Sequence, residues 1–236
     1  MICGAVFIPS TPLLIPVAAS GAQGELRAIR ESSVSALSAA LTAEPDRVVI
    51  VGAGTVTETH RRGLGSLRGF GVAYDVALDP RDTDSEESHR LLPLALTVGA
   101  WLLGEVAWSG ERLALEVDAL SSDGDLDATG HALAADDGQT LLLVVADGSA
   151  SRTEKAPAAL HPDAEAFDAQ LAVLLAGGDP LSLLGIDRDR ALAVTAAGRP
   201  AWRVAAAAMA GAAYTAELLA TGAPYGVGYL VARWHR

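Results

Sequence analysis

The chain has 236 residues, half of them apolar and 19% charged, which is enough for a sizeable core and excludes a disordered chain. Seventeen basic against twenty-nine acidic residues give a net charge of −12, so the phosphate attraction that carries nucleic-acid binding is disfavoured. The single cysteine, Cys3, excludes an intrachain disulfide or a thiolate metal cluster and fits a reducing compartment.

Residues 1–24 carry no charge and end in small residues, as a secretory signal does. They lack a basic lead, however, and Pro9, Pro12 and Pro16 break the apolar stretch, so a soluble, cytoplasmic protein is expected. Ile2–Ile8 reads as a strand buried on both faces, as do 48–51, 140–146 and 226–231. Leu26, Ile29, Leu37 and Leu41 share one face of a helix over 23–42 that stops at Glu44-Pro45-Asp46. Val72, Tyr74 and Val76 alternate with polar positions, as do Leu113, Leu115 and Val117 with Arg112, Glu116 and Asp118. Both patterns predict strands with one wet face, nearer an edge.

Helices are expected near 85–103, 125–135 and 200–210, where Pro200 suits a first turn. Phe167, Leu171, Leu174 and Leu175 mark another, with Asp163 as N-cap and Gly177-Gly178 as terminator. The uncharged runs 91–104 and 204–216 are too short to span a bilayer. The alanine-rich stretch 204–213 suits a core helix or part of a homodimer interface. With no linker or repeat, residues 1–236 predict one α/β domain: a three-layer sandwich, its central sheet mostly parallel or mixed, with helices on both faces.

Three strand exits carry polar groups to one rim, where α/β sheets gather ligands: Ser10 and Thr11 after the first strand, Gly54 and then His60 after the second, Asp147 and Ser149 after 140–146. These six residues form the predicted pocket rim, and His60 is the candidate catalytic group. Gly52-Ala53-Gly54 imitates a dinucleotide loop, but the third glycine is replaced by Thr57. His89, His131, His161 and His235 fall in no metal-binding spacing, and the Asp127–His131 pair at i, i+4 reads as a solvated face. A Ser–His–Asp triad can be drawn from Ser10 or Ser149 with His60 and Asp147, although nothing resembles a nucleophile elbow.

The same exits carry a family likeness. Ile8-Pro9-Ser10-Thr11-Pro12-Leu13-Leu14, Val144-Val145-Ala146-Asp147-Gly148-Ser149-Ala150, Phe167-Asp168, Ala197-Gly198-Arg199-Pro200 and Ala223-Pro224-Tyr225-Gly226-Val227-Gly228-Tyr229-Leu230 follow one another in order. In this the chain resembles the class III extradiol ring-cleavage dioxygenase superfamily. The resemblance implies an Fe(II) site of two histidines and a glutamate, with a third histidine as acid/base. Here Ser10 stands at the first ligand position, Ala150 at the acid/base histidine and Ala196 at the carboxylate, while the second histidine falls near 52–54 unless His60 reaches back. A serine hydroxyl is a weak ligand and alanine none, so iron held in that way is expected to be lost.

The resulting expectation is a non-catalytic or repurposed relative that binds a small ligand or a partner chain and needs no cofactor. Two rivals remain. One is an active oxygenase with Fe(II) in a rebuilt site that uses His60 and Asp147. The other is a metal-independent serine hydrolase.

Overall fold

The computed structural model describes residues 1–19, 21, 23–81 and 90–236, so His89 and the start of the helix expected from 85 lie outside it. In chain order the strands are β1 (Ile2–Ile8), β2 (Arg47–Gly54), β3 (Glu58–His60), β4 (Leu64–Ser66), β5 (Asp75–Ala77), β6 (Leu91–Leu92), β7 (Glu111–Asp118), β8 (Thr140–Val145), β9 (Thr215–Gly222) and β10 (Tyr229–His235). The helices are α1 (Gln23–Leu41), α2 (Leu94–Glu105), α3 (Asp123–Ala134), α4 (Ala164–Gly177), α5 (Pro180–Leu184), α6 (Arg188–Ala193) and α7 (Arg199–Met209).

Seven strands form one mixed sheet in the order β3-β7-β2-β8-β1-β10-β9, with helices on both faces. β7, β2, β8 and β1 run parallel, while β3 and β10 join antiparallel at either side of them. Alternation along each strand sends one set of side chains to each layer. Phe7, Val49, Val51, Leu142 and Val144 meet α3, α4 and α7, whereas Val6, Ile8, Ile50, Leu143 and Val145 meet α1 and α2. Because both faces are covered, the strands read as continuous apolar runs. Burying side chains of this size contributes about 1.5–3 kcal/mol each before the entropy of ordering them is counted.

The alanine-rich stretch lies in the core: Ala205, Ala206, Ala207 and Ala208 of α7 are all buried, and α7 packs between α3 and the sheet. Trp234 of β10 anchors the same layer, edge-on to Phe7 at 5.1 Å and donating its indole N–H to Leu175 O at 2.6 Å. A second sheet, β5-β4-β6, lies over α2, and Leu67, Leu78 and Leu92 from this region join the α1/α2 layer.

Several local expectations are corrected. The alternating segment around Val72–Val76 forms only β5, in the small sheet. β7 has no wet face, because Arg112 and Glu116 are each 6% exposed. Instead β3 pairs along its outer side, and the Arg112 guanidinium donates to the carbonyls of Leu78, Leu103 and Trp108. The strand expected at 226–231 starts at Tyr229, because Tyr225 and Gly226 turn the chain with φ of 59° and 76°. α2 begins only after Pro93. The edge strand β9 and the short helices α5 and α6 have no usable pattern in the sequence. Among the described residues no helix is long and apolar enough to cross a membrane.

Candidate functional site

After β1 the chain passes to α1 on one face of the sheet, and after the neighbouring β8 it passes to α4 on the other. Exits that diverge in this way leave a crevice beyond the strand ends. There Asp147 is clamped by Ser10, whose N–H donates to Oδ1 and whose hydroxyl donates to Oδ2, both at 2.8 Å. Protein encloses most of this carboxyl and pushes its pKa up to about 6, against the two Ser10 hydrogen bonds that favour the charged form. Thr11 accepts from Leu13 N at 3.3 Å to open the 3-10 turn Pro12–Leu14. Its side chain also bonds the Tyr229 hydroxyl, whose pKa burial drives up to about 12.

Ser149 does not face this crevice. It is 0% exposed, and its N–H and hydroxyl both donate to Asp168 of α4 at 2.7 Å. The backbone must come close to that carboxylate: a Cβ on Gly228 would stand 2.2 Å from Asp168 Oδ2, so only glycine fits there. Burial raises the Asp168 pKa, while Ser149 and the more distant Arg152 oppose the rise.

His60 is 4% exposed and shares a hydrogen bond with Glu116 of β7, Nε2 to Oε2, at 3.1 Å. Glu116 Oε1 accepts from the N–H groups of Thr55 at 2.8 Å and Val56 at 3.4 Å. The glycine-containing exit of β2 serves this carboxylate, because a Cβ on Gly54 would lie 2.2 Å from Oε1. The amides that a nucleotide phosphate would need are thereby occupied.

The predicted rim therefore separates into three polar clusters. Ser10, Thr11 and Asp147 come together; Ser149 turns to Asp168; Gly54 and His60 belong with Glu116. His60 on β3 is three strands from β8, about 14 Å at ordinary strand spacing. Neither serine touches an imidazole, so the triad does not assemble. Asp127 pairs with Arg203 rather than with the exposed His131. His161 Nδ1 accepts from Asp163 N at 3.2 Å, and among the described residues no group of three or more His, Cys, Asp or Glu is placed to hold a metal. Nothing in the sequence singles out Glu116, which sits in an ordinary strand pattern, while Tyr229 belongs to the motif that ends the family likeness. For Asp168 the only signal is the short Phe167-Asp168 motif.

Open space at this edge lies on either side of these clusters, and the more aliphatic part is beyond β7. A pocket of about 200 Å³ is bounded by Leu120, Leu126, Leu192, Ala196 and Pro200, with Arg188 at its side. Leu120 and Leu192 are 81% and 64% exposed. Ala196, where the resemblance expects a carboxylate, forms part of this aliphatic wall. Beside it Thr195 holds φ at +55°, a left-handed conformation that strains a β-branched residue. A more polar cleft of about 290 Å³ lies by Asp168, lined in part by Arg152, Glu165 and Tyr229.

No protein-family profile matches the chain, and no curated protein matches it in sequence. Solved structures do share its fold. One is the crystal structure of the uncharacterized protein JW3007 from Escherichia coli K12, 13% identical, with a TM-score of 0.51 over 98% of this chain and 99% of that one. At that identity the likeness shows a common fold and nothing of activity.

Proposed function

We propose that this chain is a divergent relative of the class III extradiol dioxygenases that has left ring cleavage behind and binds a small ligand at the carboxyl edge of its sheet. The order of motifs along the chain supports the kinship. The single observation that carries the change of role is that Asp147, Asp168 and Glu116 are each already held by protein donors. An iron centre needs side chains that converge with free lone pairs. At the ligand positions implied by the resemblance, Ser10 Oγ is engaged by Asp147, Ala196 carries no donor, and Gly52-Ala53-Gly54 stand where the second histidine falls. The residues do not fit the metal.

A rebuilt oxygenase site would have to start from the His60–Glu116 pair, an imidazole–carboxylate contact at this edge. It would then need a third ligand, and Asp147 lies two strands away from Glu116. The hydrolase reading would need an accessible serine beside an imidazole. Ser149 is fully buried, and Ser10 donates to a carboxylate.

Dioxygen consumption tests the reading. Full-length protein incubated anaerobically with Fe(II) and then given dihydroxylated aromatic acids in air is expected to consume oxygen no faster than free iron does. Uptake proportional to protein, with appearance of a ring-opened product, would overturn it.

A further inference from the structure

We infer that the pocket beyond β7 takes a small aliphatic monocarboxylate, with the carboxylate on Arg188 and the hydrocarbon body against Leu120, Leu126 and Leu192; this rests on the ligand-binding role proposed above. Arg188 donates to Ser121 O at 3.0 Å and to Leu120 O at 3.2 Å, and among the described residues it makes no ion pair with a carboxylate. Those bonds use two of its five N–H groups. Arg199, which also lines the pocket, bonds Asp123 through two contacts of 2.8 Å, and Arg203 bonds Asp127 through two of 2.7 Å. The Arg188 charge also reaches Asp123. Asp123 and Asp127 are thus taken up by Arg199 and Arg203, and Arg188, flanked in sequence by the exposed Asp187 and Asp189, keeps N–H groups with no carboxylate within ion-pair distance among the described residues.

The remaining surface fits the other end of such a ligand. Leu120 and Leu192 are exposed at the pocket mouth, and covering them removes apolar area from water. The walls are aliphatic, with Ser121 and Thr195 as the hydroxyl-bearing members. At about 200 Å³ the space is smaller than the roughly 300–1,000 Å³ of drug-sized sites, so the ligand is short. Thr195 stays in its strained conformation because Thr195 N donates to Leu192 O at 3.0 Å and Ala196 N to Ala191 O at 2.8 Å, which fixes the rim. The chain's net negative charge repels anions at long range, but salt screens that beyond about 8 Å and leaves the local guanidinium to decide.

The test compares 4-methylpentanoate with its neutral amide, titrated into full-length protein carrying methyl-labelled leucines. The acid is expected to shift the methyls of Leu120, Leu126 and Leu192 and to bind roughly tenfold tighter than the amide. That advantage should vanish in Arg188→Gln and persist in Arg188→Lys; the comparison of acid with amide in the unaltered protein needs no variant to fold. Equal binding of acid and amide would overturn the carboxylate assignment and leave the pocket as a ligand site. No shift at these leucines with either compound would overturn the inference altogether. Failure of the wider reading would show separately, as oxygen uptake by the iron-loaded chain.

Discussion

Two stretches of the same sheet edge are built in opposite ways. Beyond β1, β2 and β8 the edge is polar, built on carboxylates that backbone amides and side chains hold in place: Asp147 by Ser10, Asp168 by Ser149, and Glu116 by Thr55, Val56 and His60, with a cleft of about 290 Å³ beside Asp168. Beyond β7 the edge is open and largely aliphatic, flanked by Arg188, which has no carboxylate within ion-pair distance among the described residues. A carboxylate with both oxygens held by protein donors locks loops together and has less to offer a ligand. The open stretch does the reverse, leaving apolar surface exposed and stabilising little. Fold stability should therefore respond to substitutions in the polar part and ligand affinity to those in the open part.

Glu116→Ala should give the largest effect. It strips partners from His60 and from the Thr55 and Val56 amides, and is expected to cost about 3–5 kcal/mol in urea unfolding. A loss below about 1 kcal/mol would mean that the clamp is not what holds the β2 exit.

Asp147→Asn sharpens the comparison through its pH dependence. The folded carboxyl titrates near 6, above the unfolded value of about 3.9, so the folded state binds the proton more tightly. Its favourable contribution is complete below pH 4 and is lost as the pH rises through 6. The native protein should therefore lose up to about 3 kcal/mol across that window relative to the asparagine variant. A difference between the two that stays constant from pH 4 to 8 would remove burial of this charge from the account. Gly54→Ala should cost about 1–3 kcal/mol, since its Cβ would press on Glu116; melting temperature reads this, and an unchanged value would mean that β2 and β7 move apart freely. Leu192→Ser should change stability by no more than about 0.5 kcal/mol while weakening ligand binding at the open pocket, and a large drop in stability would place Leu192 in the core instead.

Much of the architecture could be read from residue patterns alone. The doubly buried runs of β1, β2 and β8 and the apolar face of α1 stand where the spacing put them. β9 is hidden because Ala216, Glu217, Leu218 and Leu219 favour helices, and only pairing with β10 makes them a strand. The approach of Ser10 to Asp147 follows from two strand exits. The burial of Glu116 does not, because the three residues of β3 that cover it are too few to signal. For the same reason the sequence places His60 on the rim, whereas β3 turns it back onto β7. The open pocket depends on α6, only six residues long, whose packing no periodicity foretells.

Equilibrium dialysis of the full-length protein against Fe(II) under anaerobic conditions tests the central claim most directly. Far less than one iron per chain is the outcome required if the carboxylates at this edge are already engaged. One tightly held iron per chain, lost on Ser10→Ala or His60→Ala, would contradict it.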